Sequence, residues 1–166
     1  MLEIYDEYYP KLYAYVLVRT KQKERAEDIV QQTFVKALQH LHTFKPKRGA
    51  TIGSWLFTIA KHTMIDEGKK LSRVNLVEDS AMEKLAPLVD GALDILIGQE
   101  DKEESNVEIK RMWSVIETLS KEEQEIIQLK YIAGLSYKDI SALTGVKPNT
   151  LAQLLRRALK KCQKAL

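Results

Sequence analysis

The chain has 166 residues, with 26 Lys/Arg against 23 Asp/Glu, three His, four Pro, seven Gly and one Cys, for a net charge of +3. The lone Cys162 excludes an intramolecular disulfide framework and a cysteine-based zinc site, and no apolar run reaches the roughly 18 residues that a membrane span needs. Abundant Leu, Ile, Ala, Lys and Glu with few helix breakers predict an all-α protein, long enough for one domain or two small ones.

The first residues carry Glu3, Asp6 and Glu7 rather than the basic start of a signal peptide, so a soluble cytoplasmic protein with no stable membrane insertion is expected. From Leu2 to about Thr20, Tyr5, Tyr9, Leu12 and Val16 recur at three- and four-residue steps and predict an amphipathic helix. Tyr8, Tyr13, Tyr15 and Leu17 lie close by, so this helix reads as the packed wall of a bundle, its tyrosines packers rather than base-stacking platforms. A polar turn at 21–25 precedes a second helix from about Glu24 to His42. Its inward stripe is Ala26, Val30, Thr33, Ala37 and Leu41, widened by Ile29, Phe34 and Leu38. The opposite face carries Glu27, Asp28, Gln31 and Gln32, which is either a solvated face or a compact acidic and amide patch suited to a basic partner. His40 and His42, two apart, cannot meet on a helix, so no metal site is expected there.

Residues 44–53 form a loop holding Lys45, Lys47 and Arg48, the kind of exposed basic segment on which binding residues concentrate. Ser54 is predicted to cap a third helix, Trp55 to Lys70. Trp55, Leu56, Ile59, Thr63 and Met64 are expected to face inward, with Lys61, His62, Lys69 and Lys70 outward. Trp55 reads as core first and as a DNA contact second.

Charge then changes sign along the chain. Residues 71–107 hold three Lys/Arg against nine Asp/Glu, between blocks of 12 against 8 (residues 1–70) and 11 against 6 (residues 108–166). Pro87, Gly91 and Gly98 interrupt any long helix in the acidic block, which is expected to be a linker with an apolar island at Leu93, Ile95, Leu96 and Ile97. The predicted organisation is therefore an N-terminal helical domain at 1–70, an acidic linker at 71–107 and a C-terminal domain at 108–166.

The C-terminal block reads as four helices. Met112, Val115, Ile116 and Leu119 give the first; Ser120 and Glu123 form a capping box for the second, which carries Ile126, Ile127, Leu129, Tyr131 and Ile132 and ends at Gly134. Ser136 and Asp139 form another box before Ile140 and Leu143. Gly145 supplies a turn residue free to take positive φ, and Pro148 fits the first position of the last helix. Leu151, Leu154 or Leu155, and Ala158 run inward, with Cys162 continuing into core, while Asn149, Thr150, Gln153, Arg156 and Arg157 point elsewhere. Helix, short glycine turn, and helix with a polar, basic outer face is the build of a DNA-binding helix-turn-helix; the alternative is an ordinary αα-hairpin. No metal cluster, nucleophile–base pair or phosphate-cradling glycine loop is present in the sequence, so neither an enzyme nor a cofactor is expected.

Two blocks of residues carry a family resemblance. The first is Ala26-Glu-Asp-Ile-Val-Gln-Gln-Thr-Phe34 with Trp55-Leu56, Ile59-Ala60 and Ile65-Asp66. The second is Leu119, Gln124, Leu129, Tyr131, Gly134-Leu-Ser-Tyr137, Ile140, Gly145-Val146, Thr150-Leu151 and Arg156-Arg157-Ala158. In this order, on either side of a short acidic segment, they resemble a bacterial RNA polymerase sigma factor of the extracytoplasmic-function group. The resemblance implies that Glu27, Asp28, Gln31 and Gln32 dock on the polymerase core. It assigns Lys47, Arg48, Thr51, Ser54, Trp55, Lys61, His62, Lys69 and Lys70 to the melted −10 promoter strand. It assigns Lys138, Lys147, Asn149, Thr150, Gln153, Arg156, Arg157 and Lys160 to the −35 duplex. It further implies promoter DNA and an anti-sigma factor as partners, and nucleoid association while bound to polymerase. Lys61-His62 stands where the family commonly has Arg-Asn, and a lysine does not grip phosphate bidentately. The competing expectation is a stand-alone helix-turn-helix regulator whose N-terminal domain oligomerises or senses a signal.

Overall fold

The computed structural model describes residues 2–45, 50–74 and 104–165. Among these are seven α-helices and no strand: α1 (Leu2–Thr20), α2 (Lys23–His40), α3 (Ile52–Val74), α4 (Glu104–Glu117), α5 (Lys121–Ile127), α6 (Tyr137–Thr144) and α7 (Pro148–Ala165). The protein is all-α, with α1–α3 forming one helical unit and α4–α7 a second, four-helix unit of helix-turn-helix type. Lys47 and Arg48, the apolar island at 93–97 and most of the acidic segment lie outside the described residues.

In α1, Leu12 through Leu17 are six consecutive buried residues, so its second half is covered all round rather than along one stripe. Packing on that scale offsets Pro10, which removes one helical N–H from within α1. Tyr5, expected inward, is 41 % exposed, its ring tilted against those of Tyr9 and Phe34 with centroids 5.1 and 4.7 Å away. The turn to α2 is tighter than predicted: Lys21 takes φ 55° and its N–H closes on Leu17 O at 2.8 Å. α2 buries Ala26, Ile29, Val30, Thr33, Phe34 and Ala37, but Leu38 faces solvent, and a 3₁₀ turn at Leu41–Thr43 replaces the predicted last turn.

The cap of α3 also differs from the prediction. Thr51, not Ser54, sits at the cap: the Ser54 N–H donates to Thr51 Oγ1 at 3.1 Å, and the Thr51 N–H donates back to Ser54 Oγ at 3.0 Å. Ser54 is the third residue of a reciprocal capping arrangement and is buried. Phe57, outside the predicted inward set, is fully buried against Tyr15. Gly53 of α3 lies against α1; a Cβ there would lie 2.9 Å from Tyr8 Cε1.

In the second unit both predicted capping boxes form, at Ser120–Glu123 and Ser136–Asp139. Glu123 is buried and also takes the Lys161 ammonium at 2.7 and 3.0 Å, which fastens the start of α5 to α7. That bond, outweighing burial, holds the Glu123 carboxyl below the usual carboxylate range. Met112, expected inward, is 41 % exposed, and Trp113 packs in its place. α5 widens at its end into a π turn, Gln128–Ile132, where the Ala133 N–H reaches back to Gln128 O at 2.9 Å. Gly145 has φ 77° and its N–H bonds Ser141 O, ending α6 as predicted, and α7 begins at Pro148. Leu151, Leu155, Ala158 and Cys162 are its buried stripe; Leu155 rather than Leu154 is the fully inward choice.

The two units pack together. α6 lies on α3, and the π turn lies on α1.

Candidate functional site

Three surfaces carry the residues singled out by sequence. On α2, Asp28 and Gln31 are exposed, whereas Glu27 and Gln32 are half-buried. The Gln32 amide bonds Glu67 of α3, so it faces its own unit; with Lys70, the stronger partner, it lowers the Glu67 carboxyl below its usual range. The exposed stripe continues at helical spacing through Val35 (55 % exposed) and Leu38 (60 % exposed). Sequence periodicity placed Leu38 inward, because an apolar residue at helical spacing reads as core, and gave Val35 no role. The signal that finds them is the side of α2 that no other helix among the described residues covers.

The second surface is the start and outer side of α3. Trp55 is half-buried with its ring 4.9 Å from Phe44, forming the aromatic wall of a cavity of about 400 Å³ also lined by Thr43, Lys45, Ala50, Ser54 and Thr58. Ala142 of α6 also lines this open cavity. Thr51 donates its hydroxyl to Asp139 of α6. Burial pushes the Asp139 carboxyl upward, but hydrogen bonds from Ser136 and Thr51 outweigh it and hold the group below its ordinary value. Lys61 is half-buried and paired with Glu125 at 3.0 Å, and Arg19 approaches the same oxygen at 3.7 Å. His62, Lys69 and Lys70 are exposed, and Lys70 pairs with Glu67 at 3.0 Å. The predicted −10 residues are thus split between a covered group (Thr51, Ser54, Trp55, Lys61) and an open group (His62, Lys69, Lys70).

The third surface is the helix-turn-helix. Lys138, Lys147, Asn149, Thr150, Gln153, Arg156, Arg157 and Lys160 are all exposed. Asn149, Gln153, Arg156 and Lys160 recur at four-, three- and four-residue steps along one side of α7, with Thr150 and Arg157 beside them. No carboxylate among the described residues lies within ion-pair distance of Arg156, Arg157 or Lys160, so this face is a source of uncompensated positive charge. No cluster of three or more His, Cys, Asp or Glu able to hold a metal occurs among the described residues, and no helix there is long and apolar enough to cross a membrane.

Each of the two helical units matches a known family model. Residues 4–74 match the family model for sigma-70 region 2 and residues 109–162 that for sigma-70 region 4. In fold the chain resembles the sigma factor RpoE, solved in complex with the anti-sigma factor NepR from Bartonella quintana (TM-score 0.61, 23 % identity, 94 % of this chain and 89 % of that one). The chain is 29 % identical over 157 residues to the ECF RNA polymerase sigma factor BldN of Streptomyces coelicolor, of whose length it spans 56 %. A region 2 unit followed by a helix-turn-helix region 4 unit defines the class: a sigma-70-type factor, which directs promoter recognition in transcription initiation. The chain is 30 % identical over 162 residues to the RNA polymerase sigma factor YlaC of Bacillus subtilis, covering 96 % of this chain and 89 % of that protein, and 30 % identical to the ECF sigma factor SigL of Mycobacterium tuberculosis, covering 96 % and 85 %. It belongs to the extracytoplasmic-function (ECF) family of RNA polymerase sigma factors.

Proposed function

We propose a division of labour among the three surfaces, acting in the cytoplasm with RNA polymerase core. The domains are residues 1–70, the acidic linker 71–107 and residues 108–166. Asp28 and Gln31, continued by Val35 and Leu38, dock on the polymerase. An apolar pair beside a carboxylate and an amide gives both desolvated contact area and orientation. The basic loop with Lys47 and Arg48, together with Thr51, Trp55, Lys61, His62, Lys69 and Lys70, takes the −10 strand. A base that leaves the duplex loses a few kcal/mol of stacking, which an aromatic wall such as Phe44–Trp55 offsets. Ser54 supports this loop through the cap and does not itself present its hydroxyl to DNA. α7 enters the major groove of the −35 element with Asn149, Thr150, Gln153 and Arg156 toward base edges, and Lys138, Lys147, Arg157 and Lys160 toward phosphates. An anti-sigma factor, such as the one named with the RpoE structure, is the expected negative partner.

The observation that carries this reading is the uncovered stripe on α2, where Asp28 and Gln31 run on into exposed Val35 and Leu38. A stand-alone regulator would use that face to oligomerise, so binding of core through it separates the two readings. Val35→Glu and Leu38→Glu are expected to abolish co-elution with polymerase core and promoter-specific transcription, with −35 duplex affinity unchanged. If both variants still co-elute with core as the wild-type chain does, the α2 assignment is wrong.

A further inference from the structure

A second concentration of positive charge lies away from the helix-turn-helix, where the end of α1, the start of α2 and the middle of α3 meet. An open cleft of about 250 Å³ there is lined by Arg19, Arg25, Ile29, Lys61, Met64 and Ile65. Each of the three helices supplies one cation. One carboxylate, Glu125 of α5, answers two of them, at 3.0 Å from Lys61 and 3.7 Å from Arg19. Arg25 has no carboxylate within ion-pair distance among the described residues, and its Nε–H is buried without a hydrogen-bond partner among them. Glu67 feels Arg25 at longer range but is itself paired with Lys70 at 3.0 Å. A buried guanidinium N–H normally has an acceptor, because leaving it without one forfeits the hydration of a charged donor. Beside these cations the lining is apolar: Ile29 is buried, Met64 half-buried and Ile65 exposed.

We infer that this cleft is a binding site for a small phosphate monoester, its phosphate taken by Arg25, Arg19 and Lys61 and its body laid on Ile29, Met64 and Ile65. Charge selects the ligand. Three cations against one carboxylate leave the cleft at +2. A phosphate monoester carries about −1.5 to −2 at pH 7, whereas a phosphate of the DNA backbone carries a single charge. Two guanidinium forks also match phosphate oxygens better than ammonium groups do. The cleft is smaller than the roughly 300 Å³ at which pockets for drug-sized ligands begin, so the body it takes is about one ring in size. The inference goes beyond the promoter reading, which uses Lys61 but neither Arg19 nor Arg25. An occupant would brace the start of α2, the helix proposed to dock on polymerase.

The test uses the full chain, with phenyl phosphate, inorganic phosphate and phenol as probes, in calorimetric titrations at constant ionic strength. Phenyl phosphate is expected to bind at one site, about fivefold tighter than inorganic phosphate, and phenol not at all. A hundredfold excess over its Kd should raise Tm by about 5 °C. Arg25→Gln removes the unpaired donor and its charge, and should weaken phenyl phosphate by about tenfold or more with −35 duplex binding unchanged. Glu125→Gln removes the one anion that competes for the cluster and should tighten phenyl phosphate about three- to tenfold, a direction that loss of folding cannot produce. A fluorescein-labelled −10 single strand separates the two sources of phosphate: its affinity should not change in Arg25→Gln. No binding of phenyl phosphate, or equal binding by the wild-type chain and Arg25→Gln, overturns the inference. So does a single strand weakened in Arg25→Gln as much as phenyl phosphate is, since the cleft would then serve the DNA backbone.

Discussion

Tyr15 shows how much a single buried side chain depends on its surroundings. Its ring is fully buried, meets Phe57 edge-on at 5.1 Å and lies 4.4 Å under the Arg19 guanidinium, yet its hydroxyl has no hydrogen-bond partner among the described residues. An unpaired buried hydroxyl costs about 1–3 kcal/mol, so Tyr15→Phe is expected to raise stability by about 1 kcal/mol in urea unfolding. Burial pushes the phenol from 10.0 up to about 12, with Arg19 opposing and Glu125 adding to the shift. The unfolded chain therefore gives up this proton first, and stability falls as pH rises from about 10 toward 12. That alkaline decline should be shallower in Tyr15→Phe. The sequence shows an aromatic helix here, but not which of its five tyrosines are covered, because coverage is decided by α2, α3 and the π turn together.

At the scale of elements, the features readable from sequence are those whose partners lie within three or four residues. The Ser120 and Ser136 capping boxes, the αL glycine at 145 and Pro148 at the head of α7 are all of this kind. The exception, at α3, has a local cause: Thr51 and Ser54 are themselves three apart, so either hydroxyl suits a cap, and the chain uses the earlier one. Gly145 allows a clean test. Nothing lies within 4 Å of a Cβ built there, so Gly145→Ala should cost about 1–2 kcal/mol through its φ of 77° alone, and Gly145→Asn less, as read by denaturant unfolding. Gly53 is the contrasting case, since its need for glycine comes from Tyr8, a residue 45 positions away, and no local pattern announces it.

For the molecule as a whole, uncompensated charge marks the face proposed to accept DNA. Arg156 and Arg157 lack acidic neighbours at ion-pair distance among the described residues, whereas Lys61 has Glu125. Each phosphate contact contributes about −0.9 to the slope of log affinity against log salt concentration, so Arg157→Ala should reduce the slope for −35 duplex binding by about one. Arg156→Ala, if it reads a base, should instead relax sequence preference at one position by about 1–3 kcal/mol. Fluorescence titrations over a salt series separate the two roles.

Helix positions, both capping boxes, the helix-turn-helix and its outward basic face were determined by the sequence alone, because propensity, capping and periodicity act over one or two turns. Which apolar residues stay outside was not. Leu38 and Met112 share the spacing of core residues, and only the placement of neighbouring helices leaves them in water. The pairing of Glu125 with Lys61, and of Asp139 with Thr51, likewise belongs to the tertiary structure, since these partners are 64 and 88 residues apart and meet only when one unit folds back on the other.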